Sequence, residues 1–386
     1  MTATESPLLQ LPGAVASDAV SESDASHSED AVDHSPAVLV PRHYGHPLRE
    51  QRDFALGRAV MDVSDLAVLT VSGADRLSWI DSFTSNLVRN LEPGQSSQTL
   101  LLDQNGRIEH VLDVVDDGQT LWIMTAASGG AELLNFLQRM RFALRVEVRL
   151  AEPGEFSVFA ACGEQAADYL AALPDVLATW VDPWQLAGGH QYAEVTEHPG
   201  DDFALTRVIV PAATAQLVAT DAAQGRIKAA GTEALAALEV RAWRPTADDI
   251  DARALPHEFD WLRSAVHLNK GCYRGQETVA KVHNLGHPPR RVVMLHLDGS
   301  RGNLPASGDL VFLAGSDESA RPVGRVTRAV NHYEDGPIAL ALLKRNTDVT
   351  AELEVRTGEG PILAAQEVIV PVGAGATRQI PKLKRL

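Results

Sequence analysis

Cysteine is nearly absent. The 386 residues carry only Cys162 and Cys272, far apart in the chain, which argues against a disulfide framework and the oxidising compartment that such frameworks serve. The N-terminus lacks the pattern of a secretory signal, so the cytoplasm is the expected location. Long apolar runs are missing too: the nearest candidates are short stretches such as Ile338 to Leu343, well below the ~20 residues needed to cross a bilayer. Basic residues are outnumbered by acids, 34 to 51, for a formal net charge of -17. Wrapping of a nucleic-acid backbone needs clustered Lys and Arg, so no direct nucleic-acid partner is expected beyond a local tRNA contact. The first forty residues contain no Lys or Arg and carry Glu5, Asp18, Glu22, Asp24, Glu29, Asp30 and Asp33. That composition predicts a disordered acidic tail over 1–40 and is unlike a basic mitochondrial transit peptide.

What is present is the composition of a folded protein, 45% apolar and 22% charged, in a chain long enough for two or three domains. A first α+β unit is expected over 41–150: a strand from Leu66 to Val71, a helical stretch Gly73 to Leu87, and a three-stranded meander. The meander turns at Asn105-Gly106 and Asp116-Asp117-Gly118, where glycine supplies the positive φ of tight hairpins. A helix carrying Leu133, Leu134, Leu137 and Met140 and an alternating strand ending at Leu150 complete it. A second unit of similar pattern spans 151–245, from the strand Phe156 to Ala161 through Ala-rich helical segments. After Pro288-Pro289 the helical signal vanishes, and short strands at 292–297, 310–313, 323–330, 338–342, 353–355 and 368–372 predict a β-barrel over 291–386.

Between the second unit and the barrel, residues 246–290 are long, polar and weakly periodic, as functional connections often are. They contain Lys270-Gly271-Cys272-Tyr273-Arg274-Gly275-Gln276-Glu277. Two glycines let the backbone turn sharply and approach another group. Lys270 and Arg274 flank Cys272 with positive charge, which favours the thiolate that reacts or binds metal. Gln276 and Glu277 add an amide and a carboxylate able to read a heteroaromatic edge or pair with Lys270. The same residues also suit a tight structural turn with an inert thiol.

This string resembles the signature Lys-Gly-Cys-aromatic-x-Gly-Gln-Glu of the YgfZ family, and every fixed position is present. Similarity extends over Leu69 to Asp75, Asp103-Gln104-Asn105-Gly106-Arg107 and the terminal strands. The resemblance implies an α+β fold like that of the glycine-cleavage T-protein, two α+β domains and a β-barrel around a central opening. It also implies a tetrahydrofolate-type cofactor, and a role in assembling or repairing iron–sulfur enzymes, with effects on tRNA thiolation as a consequence. Iron–sulfur client enzymes or assembly proteins would then be the partners, with Cys272 and Lys270 as the catalytic pair and Cys272 as the reactive or cluster-facing group. Gly271, Tyr273, Arg274, Gly275, Gln276 and Glu277 would shape the loop or hold the ligand. Two positions that carry tryptophan beside the pterin in that family are Leu66 and Leu235 here. Arg241 stands where a pterin-reading Glu would be, and Trp243 offers another stacking face; these four are the candidate cavity residues.

Two other function classes compete. In aminomethyl transfer, the T-protein pattern Gly-x-x-Ile-Asp-Asp-Leu supplies a carboxylate near the folate; this chain has Arg107-Ile108-Glu109-His110-Val111-Leu112, and Glu109, one residue out of register, faces the opposite side of a strand. A metal-binding or folate-sensing module is the other, since His257, His267, Cys272, His283 and His287 lie close in sequence. Pro288 and Pro289 oppose a helix presenting the His283/His287 pair, no zinc-finger spacing accompanies them, and no metal site is expected. Phosphate-binding, dinucleotide, serine-hydrolase and metalloprotease motifs are absent.

Overall fold

The glycine turns at Gly106 and Gly118 take φ of +77° and +96°, and they fold the strands Ser96–Leu102, Ile108–Asp116 and Thr120–Thr125 into the expected meander. Ala67–Ser72 and Glu147–Leu150 add to its edge, giving an antiparallel five-stranded sheet. The helices Arg76–Asp81 and Gly130–Met140 cover one face through Trp79, Ile80, Leu133 and Leu137. The computed structural model describes residues 4–17, 38–142, 144–186 and 188–376.

A second five-stranded sheet runs in the order Ala178–Val181, Leu205–Pro211, Phe156–Cys162, Ala59–Asp62, Lys228–Ala230. Its fourth strand comes from before the first sheet, so residues 59–62 belong with the second unit and not with the first, where the expected boundary at 41 had put them. Ala59–Asp62 is buried at every position, so it lacks the alternation that reveals a half-exposed strand. Six strands close the C-terminal barrel, as expected. Its last strand is Gly360–Val368; the apolar run 368–372 lies beyond it, with Ile369 and Val370 packed into the core shared with the other units.

The acidic tail is corrected in part. Pro7–Gln10 forms a 3₁₀ turn capped by Ser6, Leu8 is wholly buried, and Val15–Ala16 pairs with Pro41–His43. Ser6 Oγ donates to the buried carboxylate of Asp62. Leu8 on a sheet face, the strand pairing with Pro41–His43 and the Ser6–Asp62 hydrogen bond together oppose the ordering cost of this segment, and the average composition hides them. The remainder of the expected tail, 1–3 and 18–37, lies outside the described residues.

Where the units meet, a continuous cluster of buried side chains fills the centre, including Trp184, Trp243, Phe259 and Trp261. Buried charges stitch the same junction. Arg328 reaches Glu239 at 2.8 Å and Asp249 at 3.0 Å, Arg244 pairs with Asp182, and Arg290 joins Asp251 and Glu258 at 2.6 and 2.8 Å. Removing one partner of such a pair leaves an uncompensated buried charge, which costs about 3–5 kcal/mol.

Burial holds His257 far below the imidazole range, at about 3, although its Nε2 lies 3.1 Å from the Val279 carbonyl. Because the folded state refuses a proton that the unfolded chain accepts near pH 6.5, this group's contribution to stability is lost as pH falls from 6.5 towards 3. Asp65 and Asp260, raised by burial to about 6 and about 7, act in the opposite sense, holding protons in the fold that the unfolded chain releases. The individual effect therefore shows by substitution. His257→Gln, which keeps a donor for Val279, is expected to flatten the acid-side loss by about 1.4 kcal/mol per pH unit between pH 6 and 4, measured by urea unfolding at each pH.

Candidate functional site

The signature loop begins with a buried cation. The Lys270 side chain is 1% exposed, and its Nζ donates to Asp81 Oδ1 at 3.1 Å and to the carbonyls of Asp81, Thr84 and Asn86 at 2.6–2.9 Å. Burial lowers the pKa of this ammonium, opposed by the Asp81 carboxylate. Burial also works against ionisation of Asp81, but hydrogen bonds from Arg89 and Lys270 outweigh it and hold that carboxyl below its usual range. Lys270 thus spends its protons on the first unit, just past the short helix Arg76–Asp81. Its Nζ also lies 5.5 Å from the centroid of the Tyr273 ring.

The far end of the loop is fixed by close backbone approach. Gly275 adopts φ of +82° and caps the helix Gln276–Leu285; a Cβ there would stand 2.5 Å from the Asp103 carbonyl. Gly106, at the tip of the Asn105-Gly106 hairpin, would likewise drive a Cβ to 2.9 Å from Thr278 Cβ. The two glycine motifs noted in the sequence are therefore two halves of one contact. Arg274 forks onto Glu109 and lies over the Phe136 ring at 5.5 Å. Gln276 Nε2 closes the loop on the Lys270 carbonyl at 3.2 Å, Tyr273 is buried, and Glu277 is exposed in the first turn of the helix, where its charge suits the helix dipole. Between these anchors Gly271 faces open space and Cys272 is exposed. Cys162 is buried, and burial pushes its thiol up to about 12.

Beside the loop is a cavity of about 510 Å³, lined among others by Asn86, Ser97, His190, Ser264, His267 and Asn269. Leu268 and Asn269 also line a second cavity of about 260 Å³ that takes Tyr273, Gln276, His283 and Asn284. Neither lining includes an Asp, Glu, Lys or Arg among the described residues. The polar groups are amides, hydroxyls and imidazoles, and burial lowers the pKa of His190 and His283. The buried Nδ1 of His267 has no hydrogen-bond partner. None of Asn86, His190 and Asp81 carried a sequence signal; the sequence offered Glu277 as a partner for Lys270, and the structure gives it Asp81 instead.

The four candidate cavity residues do not converge. Leu66 lines a separate cavity with Asp65 and Phe156. Leu235 is buried core, Arg241 pairs with Asp335 at 2.5 Å, and Trp243 is buried against His198 with φ of +56°. The histidines considered as metal ligands are also dispersed: His257 and His287 lie against the carbonyls of Val279 and Ala374, and Tyr192 Oη meets His283 Nδ1 at 3.1 Å. No group of three or more potential ligands gathers among the described residues. No helix among them is long and apolar enough to cross a membrane. Glu109 is occupied by Arg274. Further along the same strand, Asp113 is buried between Gln98 Nε2 at 2.8 Å and Arg207 Nη1 at 2.5 Å.

Comparison with known proteins bears on the fold and the sequence. Residues 38–182 match the family model described as the GCVT N-terminal domain. A tRNA-modifying protein YgfZ from Klebsiella pneumoniae (strain 342) is 26% identical over 309 residues, covering 78% of this chain and 89% of that protein. The YgfZ of Escherichia coli O127:H6 is 26% identical over 291 residues, covering 74% and 85%. The chain is a homologue of the YgfZ proteins. Among solved structures, the glycine cleavage system aminomethyltransferase T from Bartonella henselae superposes with a TM-score of 0.69 at 17% identity, covering 98% of this chain and all of that one, which establishes the shared fold.

The loop from Lys270 to Glu277 is therefore anchored at both ends and open in the middle. Lys270→Met is expected to lower stability by about 3–5 kcal/mol, because Asp81 loses its buried counter-ion. Cys272→Ala is expected to stay within about 0.5 kcal/mol of the parent. Denaturant unfolding of the two variants checks both.

Proposed function

We propose that this chain is a folate-binding accessory protein for the assembly or repair of iron–sulfur enzymes, with Cys272 as the group presented to the client or its cluster. The observation that carries this reading is the exposed Cys272 on a loop fixed by Lys270 and Gly275, whose next residue, Tyr273, lines a neutral, polar cavity. A thiolate is the ligand that iron–sulfur clusters take from proteins, and a solvent-facing thiol can be shared with another molecule where a buried one cannot.

The adjoining cavity of about 510 Å³ suits the ring of a folate. Its amides and imidazoles offer donors and acceptors for a heteroaromatic edge, its volume falls in the range of small-molecule sites, and the unpartnered His267 Nδ1 is available to a ligand polar group. Asn86, His190, His267 and Asn269 would hold such a ring, and the cofactor would supply a nitrogen able to carry a one-carbon unit. This chain's own part is to orient the ring, exclude water with Tyr273 and Leu268, and keep Cys272 accessible. The tRNA-modifying role named for the relatives follows in this reading from thiolation enzymes that depend on clusters.

Aminomethyl transfer is the weaker reading, despite the shared fold. It needs a carboxylate able to handle a proton, and the three on the relevant strand, Glu109, Asp113 and Asp116, are engaged by Arg274, Arg207 and Arg76. A pure folate sensor would not need an exposed thiol.

Cells lacking this gene, complemented with the intact chain, are expected to recover the activity of a [4Fe–4S] enzyme, and cells given Cys272→Ala are not. Calorimetry with tetrahydrofolate should give the same affinity for both proteins and at least about a tenfold loss for His267→Ala. Equal rescue by both proteins would make the loop structural, and absence of tetrahydrofolate binding would remove the cofactor from the account.

A further inference from the structure

The first unit carries an exposed aromatic that its own fold does not use. Phe142, in the turn after the helix Gly130–Met140, is 83% exposed and holds φ of +44°, a backbone region that bulky residues seldom occupy. Leu144 beside it is 40% exposed. Arg139, Arg141 and Arg145 surround the pair in sequence. Arg145 is paired with Asp75 at 2.8 Å, and Glu109 is taken by Arg274. Among the described residues Arg139 and Arg141 have no ion-pair partner.

This surface is continuous with the signature loop. Arg274, two residues from Cys272, lies over Phe136, and Phe136, Arg139 and Met140 share one helix face by their spacing of three and four. Phe142 follows two residues after that helix ends. Aromatic rings and arginines are the side chains that most often anchor protein interfaces. Uncompensated guanidiniums on a chain of net charge -17 single out this patch for an acidic partner. Two free guanidiniums neutralise too few phosphates to hold a polyphosphate backbone, so a polypeptide with carboxylates beside an apolar side chain fits better than RNA.

We propose that Phe142, with Arg139 and Arg141, is the docking surface for an acidic, leucine- or phenylalanine-containing segment of a client polypeptide, bringing that client to Cys272. The inference rests on the reading that Cys272 serves another protein. One ring and one leucine make a small contact, suited to transient association.

Fluorescence anisotropy of the full chain with a labelled peptide alternating Glu with Leu and Phe tests it, against the same peptide with Lys for Glu and against oligouridine. Saturable, salt-sensitive binding of the acidic peptide alone is expected, weakened at least about tenfold by Phe142→Gly and by the double change Arg139→Glu/Arg141→Glu. Phe142→Gly suits the positive φ, so its melting temperature is expected to be at or above the parent's, separating lost affinity from unfolding. Cys272→Ala should bind like the parent, so failure of the Cys272 reading would leave these affinities intact, and failure of the patch would leave Cys272-dependent rescue intact. Equal binding by all variants, no binding of the acidic peptide, or preference for oligouridine would each overturn the proposal.

Discussion

A lysine ammonium taken out of water needs compensation, and the way Lys270 obtains it organises the site. Its counter-ion and carbonyl acceptors all come from 81–86, at the end of a short helix in the first unit. The connection between the second unit and the barrel is thereby pinned to the first unit. Desolvation of the pair is expensive, and the bound carbonyls offset it by satisfying the remaining protons. With that end fixed, the close approach of Gly275 to the Asp103 carbonyl and of Gly106 to Thr278 sets the other. The segment between has little freedom, and its thiol stays outside.

The same economy of charge runs along the strand beside the signature loop. Each carboxylate of Ile108–Asp116 is bound to an arginine. Arg207 holds Asp113 and Arg274 holds Glu109, so these acids shape the protein instead of moving protons. The cavity next to the loop is correspondingly neutral.

Much of this was legible in the sequence. The Asn105-Gly106 and Asp117-Gly118 turns located the meander, because positive φ at glycine is a local demand. Short apolar runs broken by Gly, Pro, Asp and Asn placed most barrel strands. The contiguous Lys270 to Glu277 motif pointed to the candidate site. What escaped depended on distance or on burial. Asp81 lies far from Lys270 in the chain, and no spacing rule links them. Ala59–Asp62 is buried on both faces and so has no period, while the helix Gln276–Leu285 buries only Val279, too sparse a stripe to recognise. Leu8 was masked by its acidic neighbours, and Ile369 and Val370 looked like a strand because an apolar run of that length fits a shared core equally well.

The central claim is that the fold displays Cys272 and hides Cys162. Titration of the native protein with a thiol-specific disulfide reagent, before and after denaturation, tests this most directly. One thiol should react in the native state, lost in Cys272→Ala, and a second should appear only on unfolding. Protection of Cys272 in the native protein, or prompt reaction of both thiols, would contradict the account.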